Sequence, residues 1–215
     1  MTTFPNSPRL LKGGIVLMDP ESGAVMRIIA LQYNPDTLSR TLQVKGVGES
    51  GDRSQALRLK GPPTETIKLD AEIDATDQLE IADGTVTEVG LHPQLAALEI
   101  LVYPTSGQLQ SNNSMAASGT LEIAPMEAPL TLFVWSKNRI VPVRITDFSV
   151  TEEAFDPTLN PIRAKVSLGM RVLSVDDLGF DHRGGGLFMT YLRNKEQLAS
   201  RSKGGALSAL GITGI

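Results

Sequence analysis

The chain has no cysteine and only two histidines among its 215 residues. Without thiols it can form no disulfide and no thiolate metal ligand, and it is compatible with a reducing compartment. His92 and His182 are the only side chains whose ordinary pKa lies near neutrality, and no Gly-x-Ser-x-Gly nucleophile elbow accompanies either one. We therefore predict that the chain is not an enzyme and binds no cofactor.

Aromatic residues and long apolar runs are also scarce. Aromatics make up 5% of the chain, and no apolar stretch approaches the about 20 residues that span a bilayer. Residues 1–8 lack the basic segment and apolar run of a secretory signal. The net charge of −4 gives no reason to expect a nucleic-acid partner. We expect a cytoplasmic protein that inserts into no membrane.

Charge is unevenly distributed along the chain. Residues 64–90 contain eight acids and one base, whereas residues 183–215 contain five bases and one acid. This asymmetry is compatible with head-to-tail complementarity between copies, and equally with solvated charge on two unrelated faces. Both interpretations stay open at this point.

Period-two patterns and turn residues predict β-strands along most of the chain. In the first half they cover Gly14–Asp19, Ala24–Gln32, Thr41–Lys45, Leu57–Lys60 and Thr64–Ala75. In the second half they cover Leu130–Trp135, Arg139–Thr146, Phe148–Glu153 and Arg163–Leu173. The first two strands are joined by a turn at residues 20–23, and residues 136–138 form a second hairpin.

Helical spacing is confined to two segments. Leucines recur every three or four residues over His92–Val102, and Pro104 follows as a stop. A second amphipathic pattern covers Leu187–Ala199. Polar, Gly-rich composition predicts loops at 46–54 and 105–118, and Gly184–Gly186 is interpreted as a hinge before the last helix. We hypothesise that the loops at 45–56 and 105–118 become ordered only on assembly.

These elements predict a mainly β fold. We expect an antiparallel β-barrel or sandwich over residues 1–182, with one internal helix. Residues 183–215 form a basic, Gly-rich C-terminal extension with a short helix. The chain is long enough for one generous domain with such an appendage.

Two strands have a clearly polar face. Along Thr64–Ala75 the alternation places Lys68, Asp70, Glu72 and Asp74 on one side. Along the last strand it places Arg163, Lys165 and Arg171 on one side. The carboxylate row could in principle bind a hard cation such as calcium, but an extended strand does not wrap around an ion, and a solvated acidic face is the favoured interpretation.

Four motifs, in this order, resemble the tube and tube-adaptor proteins of contractile injection systems, the phage-tail-like particles of bacteria. They are Leu31-Gln32-Tyr33-Asn34-Pro35, Leu59-Lys60-Gly61-Pro62-Pro63-Thr64-Glu65-Thr66-Ile67, Leu130-Thr131-Leu132-Phe133-Val134-Trp135 and the segment 141–172, which contains Phe155-Asp156-Pro157. The resemblance covers roughly residues 10 to 180.

The resemblance implies a tail-tube-like barrel that assembles as a six-membered ring at the junction of inner tube and baseplate. The implied partners are further copies of the chain, the inner tube protein, and the spike and baseplate proteins. Many family members carry a C-terminal LysM module, whereas this chain has the Gly-rich extension after Asp181. The alternative is a stand-alone β-sandwich module that binds glycan or peptidoglycan, and an enzyme ranks third.

The candidate interface or lumen positions combine the family motifs with the polar strand faces. They are Tyr33, Asn34, Pro35, Gly61, Pro62, Pro63, Lys68, Asp70, Glu72, Asp74, Glu152, Glu153, Phe155, Asn160, Pro161, Arg163, Lys165 and Arg171. No catalytic, cofactor or metal site is predicted.

Overall fold

A computed structural model describes residues 11–46, 58–119 and 128–214 of the chain. Seven antiparallel strands form one sheet in the order β2-β1-β5-β6-β7-β4-β3. The strands are β1 (Gly14–Met18), β2 (Val25–Ala30), β3 (Leu38–Gln43), β4 (Thr64–Asp74), β5 (Leu130–Val134), β6 (Ile140–Phe155) and β7 (Pro161–Val172). The predicted mainly β fold is confirmed.

Within the described residues, four helices lie between β4 and β5, and two follow β7. They are α1 (Thr76–Glu80), α2 (Gly84–Val89), α3 (His92–Glu99), α4 (Ser106–Ala117), α5 (Val175–Leu178) and α6 (Arg183–Ser200). A 3₁₀ turn covers Leu207–Leu210. Within the described residues, no helix is both long and apolar enough to cross a membrane.

The sheet is rolled, because its two edge strands are neighbours in sequence. Seven flat strands spaced by about 4.8 Å would hold the edges about 29 Å apart. The connection from Ala30 to Leu38 covers eight residue steps, about 26–29 Å when fully extended. Bends at residues 32, 33 and 36 shorten it further. The edges must therefore approach each other.

The core lies on the inner face of the rolled sheet. Ile67, Leu69 and Ala71 of β4 pair in register with Met170, Leu168 and Val166 of β7, and all six are buried. Helix α3 contributes Leu95 and Leu98 to the same cluster, as does the preceding Leu91. The helical spacing over 92–102 thus marked a helix that fills the inside of the sheet.

Several boundaries differ from the sequence predictions. The third strand lies at Leu38–Gln43 rather than at 41–45, and in the described residues the 57–60 segment makes only an isolated bridge between Gly46 and Leu59. Residues 47–57, which hold most of one predicted loop, lie outside the described residues. Helices α1 and α2 were not predicted.

The predicted loop at 105–118 is wrong, since residues 106–117 form helix α4. Its Ser- and Asn-rich composition is poor for a helix interior, but a capping box starts it. The Thr105 hydroxyl accepts from the Gln108 N–H at 3.2 Å, and the Gln108 side chain accepts from the Thr105 N–H at 3.0 Å. Two N-terminal donors are satisfied in this way.

The predicted hinge at Gly184–Gly186 is also wrong, because all three glycines lie in the first turn of α6. Gly184 and Gly185 are buried. A Cβ atom on Gly185 would lie 1.9 Å from the carbonyl oxygen of Gly179. The glycines therefore allow close packing between α6 and the preceding turn. Phe188 and Tyr191 of α6 join the core cluster, while the domain division at residue 182 stays a prediction.

Candidate assembly surfaces

The polar faces of β4 and β7 form one continuous surface. The register places Asp74 opposite Arg163, Glu72 opposite Lys165 and Asp70 opposite Ser167. Strand β6 extends the surface, since Glu153 lies opposite Arg163 on the other side of β7. We call this surface the charged face; it comprises Lys68, Asp70, Glu72, Asp74, Glu153, Arg163, Lys165, Ser167 and Arg171.

Opposite charges on the charged face pair across strands. The Arg163 Nε lies 2.8 Å from Asp74 Oδ2 and 3.7 Å from Glu72 Oε1, and the Lys165 Nζ lies 2.9 Å from Glu153 Oε1. The hydrogen bond to Asp74 is the main reason that the pKa of Arg163 is raised, and the bond to Glu153 does the same for the pKa of Lys165. The exposed pairs stabilise the fold little.

The carboxylate row on β4 is engaged by neighbouring side chains. Ser167 Oγ donates to Asp70 Oδ1 at 2.6 Å, and Arg163 bonds Asp74. Among the described residues, no group of three or more His, Cys, Asp or Glu side chains is placed to hold a metal ion. The arrangement is that of an ion-paired strand surface.

Arg171 lies at the far end of the charged face, opposite Thr66. It forms an ion pair with Asp177, the residue that closes the capping box of α5 with Ser174. Burial alone would raise the pKa of Asp177, but the Ser174 N–H and Arg171 together lower it. The Arg171 ion pair thus connects strand β7 to helix α5.

The Tyr33-Asn34-Pro35 motif holds the start of β1. The Asn34 Oδ1 accepts from the Gly13 N–H at 2.9 Å, and its Nδ2 donates to the Leu11 carbonyl at 2.7 Å. Tyr33 is exposed. A structural role explains Asn34, and the exposed Tyr33 accepts a long hydrogen bond from Gln32 through its hydroxyl at 3.4 Å.

The Gly61-Pro62-Pro63 motif forms the bend before β4. Gly61 has a φ of +136°, a conformation that residues with a Cβ rarely adopt. Next to it, the Asp176 carboxylate accepts from Lys45 at 3.1 Å. The motif therefore sets the entry of the chain into the sheet.

The turn between β6 and β7 is built around Asp156. Its Oδ1 accepts from the N–H groups of Thr158 and Asn160, both at 2.8 Å. The Asn160 N–H is the main cause that lowers the pKa of Asp156 to about 2. Phe155 is exposed beside this turn, opposite Pro161.

The same turn is attached to helix α2 and the start of α3. The Asn160 Nδ2 donates to the Glu88 carbonyl at 3.1 Å, and the Pro161 carbonyl accepts from the Leu91 N–H at 2.9 Å. Asn160 and Pro161 thus have structural contacts, whereas Glu152 and Phe155 remain exposed at the surface.

A buried ionic cluster at the other end of β4 was missed by the sequence reasoning. Glu65 is 3% exposed, and its carboxylate bonds Arg40 at 2.6 Å, Lys195 at 3.0 Å and the Tyr191 hydroxyl at 3.0 Å. The sequence did contain a signal for this cluster. Glu65 shares the inward-facing side of β4 with Ile67, so it is a charged residue in an otherwise apolar row.

Both edges of the sheet have exposed aliphatic side chains. On β2, Val25 is 56% exposed and Met26 60% exposed. At the opposite edge, Leu42 of β3 is 46% exposed and the following Val44 is 67% exposed. Edge strands of monomeric proteins are usually protected by charge or proline. Each edge strand here has one arginine, Arg27 on β2 and Arg40 on β3, beside its exposed aliphatic side chains. Tyr103 is also exposed in the groove that Met26 borders.

Comparisons with known proteins place few constraints on this chain. No family model matches it, and no curated protein matches it. Among solved structures, it is similar to a chain in the tail of an empty gene transfer agent particle with C6 symmetry, at 13% identity and a TM-score of 0.30, over 75% of this chain and 90% of that one. A chain of a native gene transfer agent virion matches at 12% identity and a TM-score of 0.28, over 74% and 90% of the two chains. Similarities this weak support no argument about fold or function.

Proposed function

We propose that this chain is a structural, non-enzymatic subunit of a phage-tail-like contractile injection system. In this proposal the subunits join edge to edge into a ring, hexameric and located where the inner tube meets the baseplate and spike. The observation that carries the proposal is the set of exposed aliphatic side chains on both sheet edges, with Val25 and Met26 on one and Leu42 and Val44 on the other. The four family-like motifs supply the type of particle.

The two edges differ in sequence, so a contact between them is heterologous. Heterologous contacts close into rings when the rotation per subunit allows it. Burial of the exposed aliphatic side chains would supply the free energy, at about 25 cal/mol per Å² of apolar surface. A permanent contact of this kind buries about 2,000 Å² or more.

The ring geometry leaves the charged face available. We propose that it lines a wet lumen or meets the adjacent ring, since its cations and carboxylates are mutually paired and most of them are exposed or partly exposed. Paired charges give a polar surface that does not attract single ions strongly. Glu152, Phe155 and Tyr33 are further contact positions in this proposal.

Solution mass tests self-assembly directly. Native mass spectrometry or light scattering of the full chain should give a ring, expected as six copies. The double variant Val25→Lys and Met26→Lys should shift the mass to one subunit, because charge at the edge opposes burial. The matched control, Ser149→Lys and Thr151→Lys on exposed positions of β6, should leave the ring intact.

Cryo-EM of the particle tests the position. Density for this chain on the central axis between tube and spike is expected. Density outside that axis would refute the tube-junction proposal. A monomer at high concentration that binds peptidoglycan fragments would instead favour the glycan-binding alternative.

A further inference from the structure

A groove with mostly apolar walls lies between strand β2 and the segment that follows helix α3. Its volume is about 520 Å³. Its apolar walls include Leu17, Met26, Ile100, Val102, Tyr103 and Pro129. All of these except Leu17 are exposed at the surface. Neighbouring exposed apolar side chains of this kind mark surfaces that bind another protein. We call this depression the apolar groove.

A second depression adjoins the apolar groove, since Val102 and Tyr103 line both. It lies between the end of α3 and strand β6, and its volume is about 490 Å³. Two carboxylates line it, those of Glu99 and Asp147. Within the described residues, neither carboxylate takes part in an ion pair or a side-chain hydrogen bond. We call this depression the acidic pocket.

Bases are scarce around both depressions. Residues 69–136 contain ten acids and neither lysine nor arginine. Among the residues that line the two depressions, Arg27 of β2 is the single base, and it lines the apolar groove rather than the acidic pocket. A cation that pairs with Glu99 or Asp147 therefore has to come from another segment or from another molecule.

The C-terminal tail of the chain has complementary side chains. Arg201 and Lys203 are exposed, and neither has an ion pair within the described residues. Residues 204–215 contain no charged side chain. Leu207, Leu210 and Ile212 are exposed, and the main-chain hydrogen bonds found for residues 201–212 are local. Two unpaired cations thus precede a short apolar stretch.

We propose that the tail of a second copy binds this surface, with Arg201 and Lys203 at the acidic pocket and Leu207, Leu210 and Ile212 in the apolar groove. The inference rests on the self-assembly proposed above and names a segment that joins the copies. The contact pairs carboxylates and cations that lack partners within one copy. It also removes exposed apolar surface of both copies from water.

The spacing of the tail residues fits the two depressions. Lys203 and Leu207 are four residue steps apart, about 13–14 Å in extended chain. Leu207 and Leu210 are the ends of a 3₁₀ turn, and three residues per turn place both side chains on one side. Tyr103 lies exposed where the two depressions meet. Tyrosine at such a position is a typical anchor of a protein interface.

Helix α6 carries the tail of the same chain away from this surface. His182, the N-cap of α6, lines a smaller pocket together with Pro129 of the apolar groove. From there the 18 residues of α6 extend over about 27 Å. The three residue steps from Ser200 to Lys203 return at most about 11 Å. The tail of a second copy is therefore the occupant that we infer.

Disulfide cross-linking tests the contact, because the chain has no cysteine of its own. A full-length chain with Val102→Cys is mixed with an isotopically labelled full-length chain with Leu210→Cys, and the mixture is oxidised. We expect a disulfide between labelled and unlabelled chains, detected by mass spectrometry. The matched control replaces the groove cysteine by Ile81→Cys, an exposed position between α1 and α2, and should give only a background yield.

Charge reversal tests the acidic pocket without altering the groove. Arg201→Glu with Lys203→Glu, in the chain that has the tail cysteine, should lower the disulfide yield about fivefold. Both positions are exposed, so the body of the protein stays folded. Glu99→Lys with Asp147→Lys, in the chain that has the groove cysteine, should lower the yield similarly. Mixing the two reversed chains should restore it, and equal yields in all four combinations would overturn the assignment of the cations.

The failure of this inference is distinguishable from that of the proposed function. If native mass spectrometry shows the ring while the groove and control cysteines give equal yields, the tail contact is overturned and the ring proposal stands. Cross-links between copies in a protein that never reaches six copies would support the tail contact and overturn the hexameric ring. A chain that has both Val102→Cys and Leu210→Cys and closes a disulfide only within itself would overturn the role of a second copy.

Discussion

The Tyr191 hydroxyl donates to the buried carboxylate of Glu65 at 3.0 Å, across 126 positions of sequence. This bond joins helix α6 to the first inward-facing residue of β4. Arg40 and Lys195 complete the set of donors around the carboxylate, and the Lys195 ammonium lies 4.1 Å from the centre of the Tyr191 ring. The cluster fastens α6 across one end of the rolled sheet.

Removal of the carboxylate should destabilise the protein strongly. Glu65→Ala leaves Arg40 and Lys195 without their anion, and breaking a buried ionic cluster costs about 3–5 kcal/mol. Tyr191→Phe removes one hydrogen bond and should cost about 1–2 kcal/mol. Urea denaturation followed by circular dichroism measures both. Equal, small effects would show that α6 is held by Phe188 packing alone.

Acid should weaken the same cluster. Burial raises the pKa of Glu65, but hydrogen bonds from Lys195 and Arg40 outweigh it and hold that pKa below its ordinary value. The stabilisation is present above the unfolded-state pKa and is lost as the pH falls through the folded-state pKa. The free energy of unfolding of Glu65→Gln should therefore depend less on pH between 5 and 3 than that of the wild type.

The turn around Asp156 should lose its stabilising hydrogen bonds only at a lower pH than the Glu65 cluster does. Its folded pKa of about 2 lies below the ordinary value of 3.8, so its contribution persists above pH 4 and is lost as the pH falls towards 2. Asp156→Asn should remove this dependence. Amide hydrogen exchange at Thr158 and Asn160 is the local readout, and unchanged exchange in the variant would contradict the assignment.

The first turn of α6 offers a matched pair of glycines. Gly185→Ala should destabilise by about 2–3 kcal/mol, because the new methyl group meets the Gly179 carbonyl at 1.9 Å and forces the turn apart. At Gly186 a methyl group would lie in open space, so Gly186→Ala should stabilise by about 0.5–1 kcal/mol. Thermal unfolding of the two variants should move in opposite directions.

The Gln32 amide should hold the rolled shape of the sheet. Gln32→Ala removes two hydrogen bonds to the main chain of Asp74 and should cost about 1–3 kcal/mol. The exposed Gln43 of β3 is the control, and Gln43→Ala should change stability by less than about 0.5 kcal/mol. Faster hydrogen exchange of the Asp74 amide in the Gln32 variant, without change elsewhere on β4, would confirm the local role.

Period-two alternation identified β4 and β7, because each has one buried and one solvated face. Their register, with Ile67 opposite Met170, follows from burial of both apolar rows on the same side. The spacing of the leucines likewise predicted α3. The sequence pattern did not predict helix α4, because the start of that helix depends on the reciprocal hydrogen bonds of Thr105 and Gln108 rather than on periodicity.

For the candidate interface positions, too, the sequence predicted some features and could not predict others. Sequence placed Lys68, Asp70, Glu72, Arg163 and Lys165 on solvated strand faces, as the structure shows. It could not show that the strands are adjacent, so the pairing of Arg163 with Asp74 was invisible. The hinge interpretation of Gly184–Gly186 failed for the same reason, since the carbonyl that requires Gly185 is brought close by folding.

The sequence by itself determined the strands with two unlike faces, the internal helix and the scarcity of catalytic side chains, because these depend on local periodicity and composition. Only the tertiary structure decided that β2 and β3 are the two edges, that Glu65 is buried among two cations, and that the Gln32 amide bonds the main chain of Asp74. Those features depend on which distant segments meet, and that is set by the burial of a shared core.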